Sequence, residues 1–399
     1  MVLYGQVVAG PPGSGKTTYC TGMQEYLRLL GRNAWVINLD PANEVPSATK
    51  KSTVEKNGAD VEGDEKDQDE FENDLPYECL LDVCKSVVNL SSVMKQLGLG
   101  PNGGLVYCME YLEAHVDEVV DMIEEQIREQ GDNNAYLIFD LPGQIELYTH
   151  GTAVPRLLAK LVKVFDLRLV AIQLIDAHYC TEPANFLSAA LLGTTVMLKL
   201  ELPTVNVLSK IDLLANYGPL PFSLEFFTDC QDLERLVPYL QQQGDFDLNE
   251  NEDDFTISTQ QYFDEDNYAD DPEYQRARKI KSSSPFFRKH TRLHKVMAEI
   301  VEEFGLISFL PLDISSAESV GRVVAKIDKC NGYIFTQQVR GGSGSSSSSA
   351  NGSNTTTAAE DLFQCALESE PSNYEAIADI QERLSIGRAK GQQSGRRDT

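Results

Sequence analysis

Short apolar runs recur along the chain near 3–9, 34–39, 136–140, 168–175, 204–208 and 307–312, with stretches of helical periodicity between them. Runs of this length without strict alternation read as strands buried on both faces. Their separation by helix-length segments predicts an α/β fold, a mainly parallel sheet covered by helices on both sides. After the first run, Tyr19, Met23, Tyr26, Leu27 and Leu30 recur at helical spacing until Gly31, so a helix follows the first strand after a short loop.

Two stretches break the pattern. Residues 54–74 hold ten Asp or Glu against Lys56 and Lys66, and residues 241–275 hold twelve acids and no base. They account for −20 of a formal charge of −27, and with few apolar residues they read as acidic disordered inserts, about 45–74 and 241–283. The remaining body has no basic stripe, which argues against direct contact with nucleic acid. After Arg340, a Gly/Ser/Asn/Thr-rich segment over 341–357 reads as a linker. It leads into a tail, 358–399, with a short helix predicted over Tyr374–Leu384. The body, 1–340, is then one enlarged domain, and 399 residues at 42% hydrophobic suffice for its core.

The loop between the first strand and helix is Gly10-Pro-Pro-Gly-Ser-Gly-Lys-Thr17, which fits GxxxxGK[ST] at every fixed position. The physical case is specific. Glycines allow successive N–H groups of Gly13, Ser14 and Gly15 to converge on phosphate, Lys16 supplies an ammonium to its β and γ groups, and Thr17 offers a hydroxyl to magnesium. Thr18 lies at the helix start, where unpaired N–H groups favour an anion. The chain therefore reads as a P-loop NTPase.

The base is suggested further on. Ser209-Lys210-Ile211-Asp212 ends an apolar run, at the strand end where open α/β sheets bind ligands. There the Asp212 carboxylate can accept from N1–H and the exocyclic amine of guanine, with the Lys210 stem on the purine face. Ser209 stands where the usual GTPase pattern has Asn or Thr. Asp140-Leu-Pro-Gly143-Gln144 ends another run, a DxxG element that puts Asp140 near a magnesium shell and the Gln144 carboxamide near the attacking water. Phe309 to Asp313 occupies the position of a second base-contacting loop. The three motifs come in GTPase order, and the Asp-Glu strand end of AAA-type ATPases is lacking.

Further segments, GPPGSGKTTYC, NLDPANE, LPYEC, LGPNGGLVYCMEYLEA, DLPGQIEL, HYCTEPANF, LSKIDLL and KCNGYIF, together resemble those of the GPN-loop GTPases, most closely the subgroup called GPN-loop GTPase 2. The resemblance covers roughly 2–44, 75–240 and 284–338. It implies a homodimer, or a heterodimer with a paralogous GPN-loop GTPase, in which Asn102 of Gly100-Pro101-Asn102 reaches the partner's phosphates. By position it also makes Asp40 and Asp82 candidates for the magnesium shell or the water. By composition alone, Pro-Asn-Gly is ordinary turn chemistry and Asp40 a strand-end cap before Pro41.

The expected function is a magnesium-dependent GTPase converting GTP to GDP and phosphate. The resemblance adds a role in assembly or nuclear import of RNA polymerase II or related polymerases, with polymerase subunits or their assembly factors as partners. A GTP-binding scaffold without turnover, and a P-loop kinase, are the alternatives. Eight cysteines without a CxxC pair read as buried free thiols of a reducing compartment rather than a zinc site. No stretch reads as a leader or a membrane span, so the expected location is the cytoplasm, with shuttling to the nucleus left open.

Overall fold

The computed structural model describes residues 2–43, 75–131, 135–217, 220–237, 285–305, 307–333, 377–378 and 380–381. The acidic inserts, the linker and most of the tail lie outside the described residues, as does Cys365.

In chain order the elements are β1 Leu3–Ala9, α1 Lys16–Leu29, β2 Ala34–Asn38, β3 Cys79–Asp82, α2 Val83–Ser86, α3 Leu90–Leu97, α4 Pro101–Ala114 and α5 Val116–Glu129. There follow β4 Tyr136–Asp140, α6 Glu146–Thr149, α7 Ala153–Phe165, β5 Leu167–Asp176, α8 Pro183–Leu200, β6 Thr204–Ser209, α9 Leu224–Asp229, α10 Pro285–Phe304, β7 Phe309–Pro311 and α11 Ala317–Asn331. The strands form one seven-stranded sheet in the order β3-β2-β4-β1-β5-β6-β7, with every pairing parallel.

Alternate residues of the central strands feed opposite cores, as the two-fold side-chain period requires. Val7 and Ala9 of β1 point into a cluster with Leu112, Val119, Leu157 and Leu161 from α4, α5 and α7. Val8 points the other way, against Tyr19, Met23 and Leu27 of α1 and Val320, Val323 and Ile327 of α11. A third cluster joins Phe186 and Ala190 of α8, Phe227 of α9, Ala298 and Val301 of α10, and Ile211 and Leu214 beyond β6. From the tail, Ile377 is 3% exposed in this third cluster and Ile380 packs against it.

The six expected strands are present, and the sheet has a seventh. β3 escaped the periodicity because it is four residues long, sits on the sheet edge, and pairs with β2 alone through a register shift. The GPN segment is also not the polar turn the composition suggested. Gly98 closes α3 in the left-handed conformation, Gly100 is the N-cap of α4, and Pro101 already stands in its first turn. Proline there loses no hydrogen bond and has the helical φ built in. Among the described residues one helix, α8, has 18 residues apolar enough to cross a membrane by length and composition, contrary to the expectation of no such stretch, and half of it is buried within the fold.

Candidate active site at the carboxyl ends of the strands

Sheet register gathers the motifs at one edge. Val8 lies opposite Asp140, Asn38 opposite both Asp82 and Asp140, and Asp176 opposite Ser209. The carboxyl ends of β1 to β6 therefore deliver their terminal residues side by side, where parallel sheets bind ligands.

The loop after β1 is shaped for an anion. Gly13 and Gly15 have φ of 79° and 89°, a region that costs a side chain energy. Gly15 caps α1 without a side-chain acceptor, and the first turn of α1 holds no acid, so its N–H groups stay available for phosphate. Lys16 Nζ donates to the carbonyls of Gly10 and Pro11 at 3.2 and 3.3 Å, which places the ammonium over the loop. Burial pushes the Lys16 pKa down, and the charges of Asp140 and Asp40 hold it up. A Cβ built on Gly143 would come 2.9 Å from Lys16 Nζ and 3.3 Å from Pro12 Cα, so the DxxG glycine lies against both.

Asp140 is 2% exposed. Its Oδ2 accepts from the Tyr77 hydroxyl at 3.1 Å, while its buried Oδ1 has no hydrogen-bond partner. Burial first, and then the charge of Asp40, push its pKa up to about 7 against the pull of Lys16, Tyr77 and Thr17. Asp40 is also pushed up by burial, offset by the Ala42 N–H, which donates to its Oδ1 at 2.9 Å, and by Lys16. Lys16, Asp40, Asp140 and Thr17 thus form one electrostatic group. Asp82 stands further out: its Oδ1 accepts from Asn38 Nδ2 at 2.8 Å and from the Cys84 N–H at 3.1 Å. Asn38 Oδ1 in turn accepts from the Asp40 N–H at 3.1 Å. Asn102, exposed at the start of α4, accepts on Oδ1 from Gln144 Nε2 at 2.7 Å.

The loop after β6 is built onto the phosphate loop. Ser209 Oγ, buried, lies 2.7 Å from the Ser14 carbonyl and 3.2 Å from that of Ile175. Lys210 adopts φ of 59° and sends Nζ to the Gly13 carbonyl at 2.5 Å and to Asp176 Oδ2 at 2.7 Å. Its stem therefore crosses the loop after β1, and Asp212 stands exposed in the short helix Ile211–Asn216 that follows. The Ile211 N–H donates to the Leu312 carbonyl at 3.4 Å, which sets the segment after β7 beside this loop.

A family model described as "Conserved hypothetical ATP binding protein" matches residues 8–57 and 69–333. The chain is 40% identical over 332 residues to GPN-loop GTPase 2 of Danio rerio, covering 83% of this chain and 82% of that protein. It is 39% identical over 334 residues to GPN-loop GTPase QQT1 of Arabidopsis thaliana, covering 84% and 87%. The chain belongs to the GPN-loop GTPase family. The crystal structure of a GTPase in apo form from Pyrococcus abyssi is similar in fold, with a TM-score of 0.50 at 18% identity over 83% of this chain and 97% of that one.

For a GPN-loop GTPase the donor set fits magnesium. In proteins generally that ion is held through one or two carboxylates together with substrate phosphates and water, and the Asp140 carboxyl, whose Oδ1 has no partner and which interacts with the Thr17 hydroxyl, would suit such a position. Three supporting residues escaped the sequence reading. Tyr77 reaches Asp140 across 63 positions. The Tyr148 hydroxyl accepts from the Gly10 N–H at 3.2 Å and donates to the Gly10 carbonyl at 3.0 Å, bracing the phosphate loop from α6. Asp176 anchors Lys210. Tyr77 lay inside the quoted LPYEC segment and Tyr148 just past DLPGQIEL, so adjacency to a motif was the available signal. Five of the cysteines, Cys20, Cys84, Cys108, Cys180 and Cys230, are buried and outside any disulfide.

Proposed function

We propose that this protein is a magnesium-dependent GTPase that works as a dimeric nucleotide switch. The observation that carries the reading is the convergence of Lys16, Thr17, Asp40, Asp140 and Gly143 on one phosphate loop, to which Ser209 and Lys210 fasten the base loop. Magnesium, held by Thr17 and Asp140, would neutralise charge on the phosphates and orient them. Lys16 holds the β and γ groups, Gln144 or Asp40 orients the water, and Asp82 supports Asp40 through Asn38. Catalysis of this kind rests on positioning and charge. The family model's description names ATP, but the Asp212 carboxylate can accept from the N1–H and the exocyclic amine of guanine together, a pair of donors that adenine lacks.

Asn102 completes the site of a second copy or of a paralogous GPN-loop GTPase. The client is a subunit or assembly factor of RNA polymerase II or a related polymerase, met in the cytoplasm or on passage to the nucleus. That part of the reading rests on family resemblance.

The deciding experiment is phosphate release from GTP and from ATP, with magnesium, over a range of protein concentrations. Guanine-selective release whose specific rate rises with concentration is the expected result. Tight GTP binding without release at any concentration would make the protein a scaffold instead. Asp212→Asn is expected to reduce the preference for GTP over ATP by one to three kcal/mol, roughly the value of a buried group left unpaired. An unchanged preference in competition binding would remove Asp212 from the site. Deleting residues 54–74 is expected to leave turnover within about twofold, because surface insertions cost little closure entropy; a larger change would give the acidic insert a part in switching.

A further inference from the structure

Tyr77 has no role in the reading above, yet it touches the most important carboxylate of the site. Its ring is 6% exposed and belongs to the core under β2 and β4, with Leu75, Val36 and Ile138. Packing therefore fixes the ring, and with it the direction of the hydroxyl. That hydroxyl donates to Asp140 Oδ2 at 3.1 Å and accepts from Asn43 Nδ2 at 3.4 Å. A phenol has one proton to donate, so donation to Asp140 leaves its oxygen as the acceptor for Asn43. The three side chains come from separate parts of the chain: the loop after β2, the approach to β3 and the end of β4.

We infer that Tyr77 is a positioning residue that clamps Asp140 by one oxygen, so that the other is presented to the magnesium shell, and that Asn43 links this clamp to the loop after β2. The inference rests on the reading of Asp140 as the acid of that shell. A carboxylate is free to rotate about its Cβ–Cγ bond, and the metal is demanding about geometry at its ligands. Partners behind a liganding carboxylate commonly fix its orientation, and their loss weakens metal binding by roughly ten- to a hundredfold. Tyr77 is such a partner, and the Oδ1 of Asp140, buried and without a hydrogen-bond partner, is the oxygen its clamp leaves for a ligand.

The test is made on the full-length protein with a fluorescent GDP analogue, titrating magnesium and measuring nucleotide affinity, with thermal melts recorded alongside. Tyr77→Phe keeps the ring and removes only the hydroxyl. It is expected to raise the half-saturating magnesium concentration about tenfold, while nucleotide affinity without magnesium stays as in the parent protein. Asn43→Ala is expected to move the magnesium requirement in the same direction by a smaller factor. A lower melting temperature with an unchanged magnesium requirement in Tyr77→Phe would overturn the inference and leave Tyr77 a core residue. Asp140→Asn supplies the separate check. If it too retains the parent's magnesium dependence, the reading of Asp140 itself falls, and the role of Tyr77 falls with it.

Discussion

Lys16→Ala is expected to weaken GTP and GDP binding by about a hundredfold or more, measured by calorimetric titration. The ammonium lies over the loop that Gly13 and Gly15 shape, and a charge-assisted bond to phosphate in such a place is worth roughly 1.5–3 kcal/mol. The loss should exceed one bond, because Lys16 is also the positive charge facing Asp40 and Asp140. Without it, the buried Asp140 and the half-buried Asp40 confront an incoming polyanion with no counter-charge among them. Retention of affinity within threefold would mean that the ammonium does not reach the phosphates.

Asn102→Ala should behave oppositely, lowering turnover by roughly a hundredfold while nucleotide affinity stays within a few fold. That is the scale on which removal of one donor to developing charge acts when ground-state binding is spared. Within a single chain the Asn102 oxygen accepts from Gln144, a bond that does not use its N–H donors, so its amide has two possible employments. It can leave for the phosphates of a second subunit, or it can stay and aim its own glutamine at the water. Mixing the two variants separates them. An Asn102→Ala protomer keeps an intact nucleotide site, and a Lys16→Ala protomer keeps an intact asparagine. Recovery of turnover on mixing would show that Asn102 works across the interface, whereas no recovery would confine it to its own chain.

What was legible in the sequence follows from how local each feature is. The phosphate loop, the DxxG element and SKID are contiguous, and their backbone demands leave glycines, a lysine and aspartates at fixed spacing, so residue types and positions could be read directly. The parallel sheet was legible for the same reason, as uninterrupted apolar runs separated by helical periods. Ser209 was placed in the base site, and its hydroxyl turns out to engage the Ser14 carbonyl, 195 positions away, which no local spacing encodes. Tyr77 and Tyr148 are equally invisible to spacing, because sheet order alone sets β4 beside β1 and β2 and so brings them to Asp140 and Gly10. The start of α4 could have been read: glycine, then proline in the first turn, is a helix entrance as well as a turn.

Ile377 is buried against a core it reaches from beyond the Gly/Ser-rich stretch, 44 positions after Tyr333, the last described residue of the body before it. It is thus a tethered ligand of its own domain. Tethering gives such a group a local concentration on the order of a millimolar or somewhat below, regardless of how dilute the protein is. Any outside segment seeking the same seat competes against that figure rather than against empty solvent. The same core includes Ile211 and Leu214 on either side of Asp212, so the occupant of that seat shares its packing with the loop proposed to read the base.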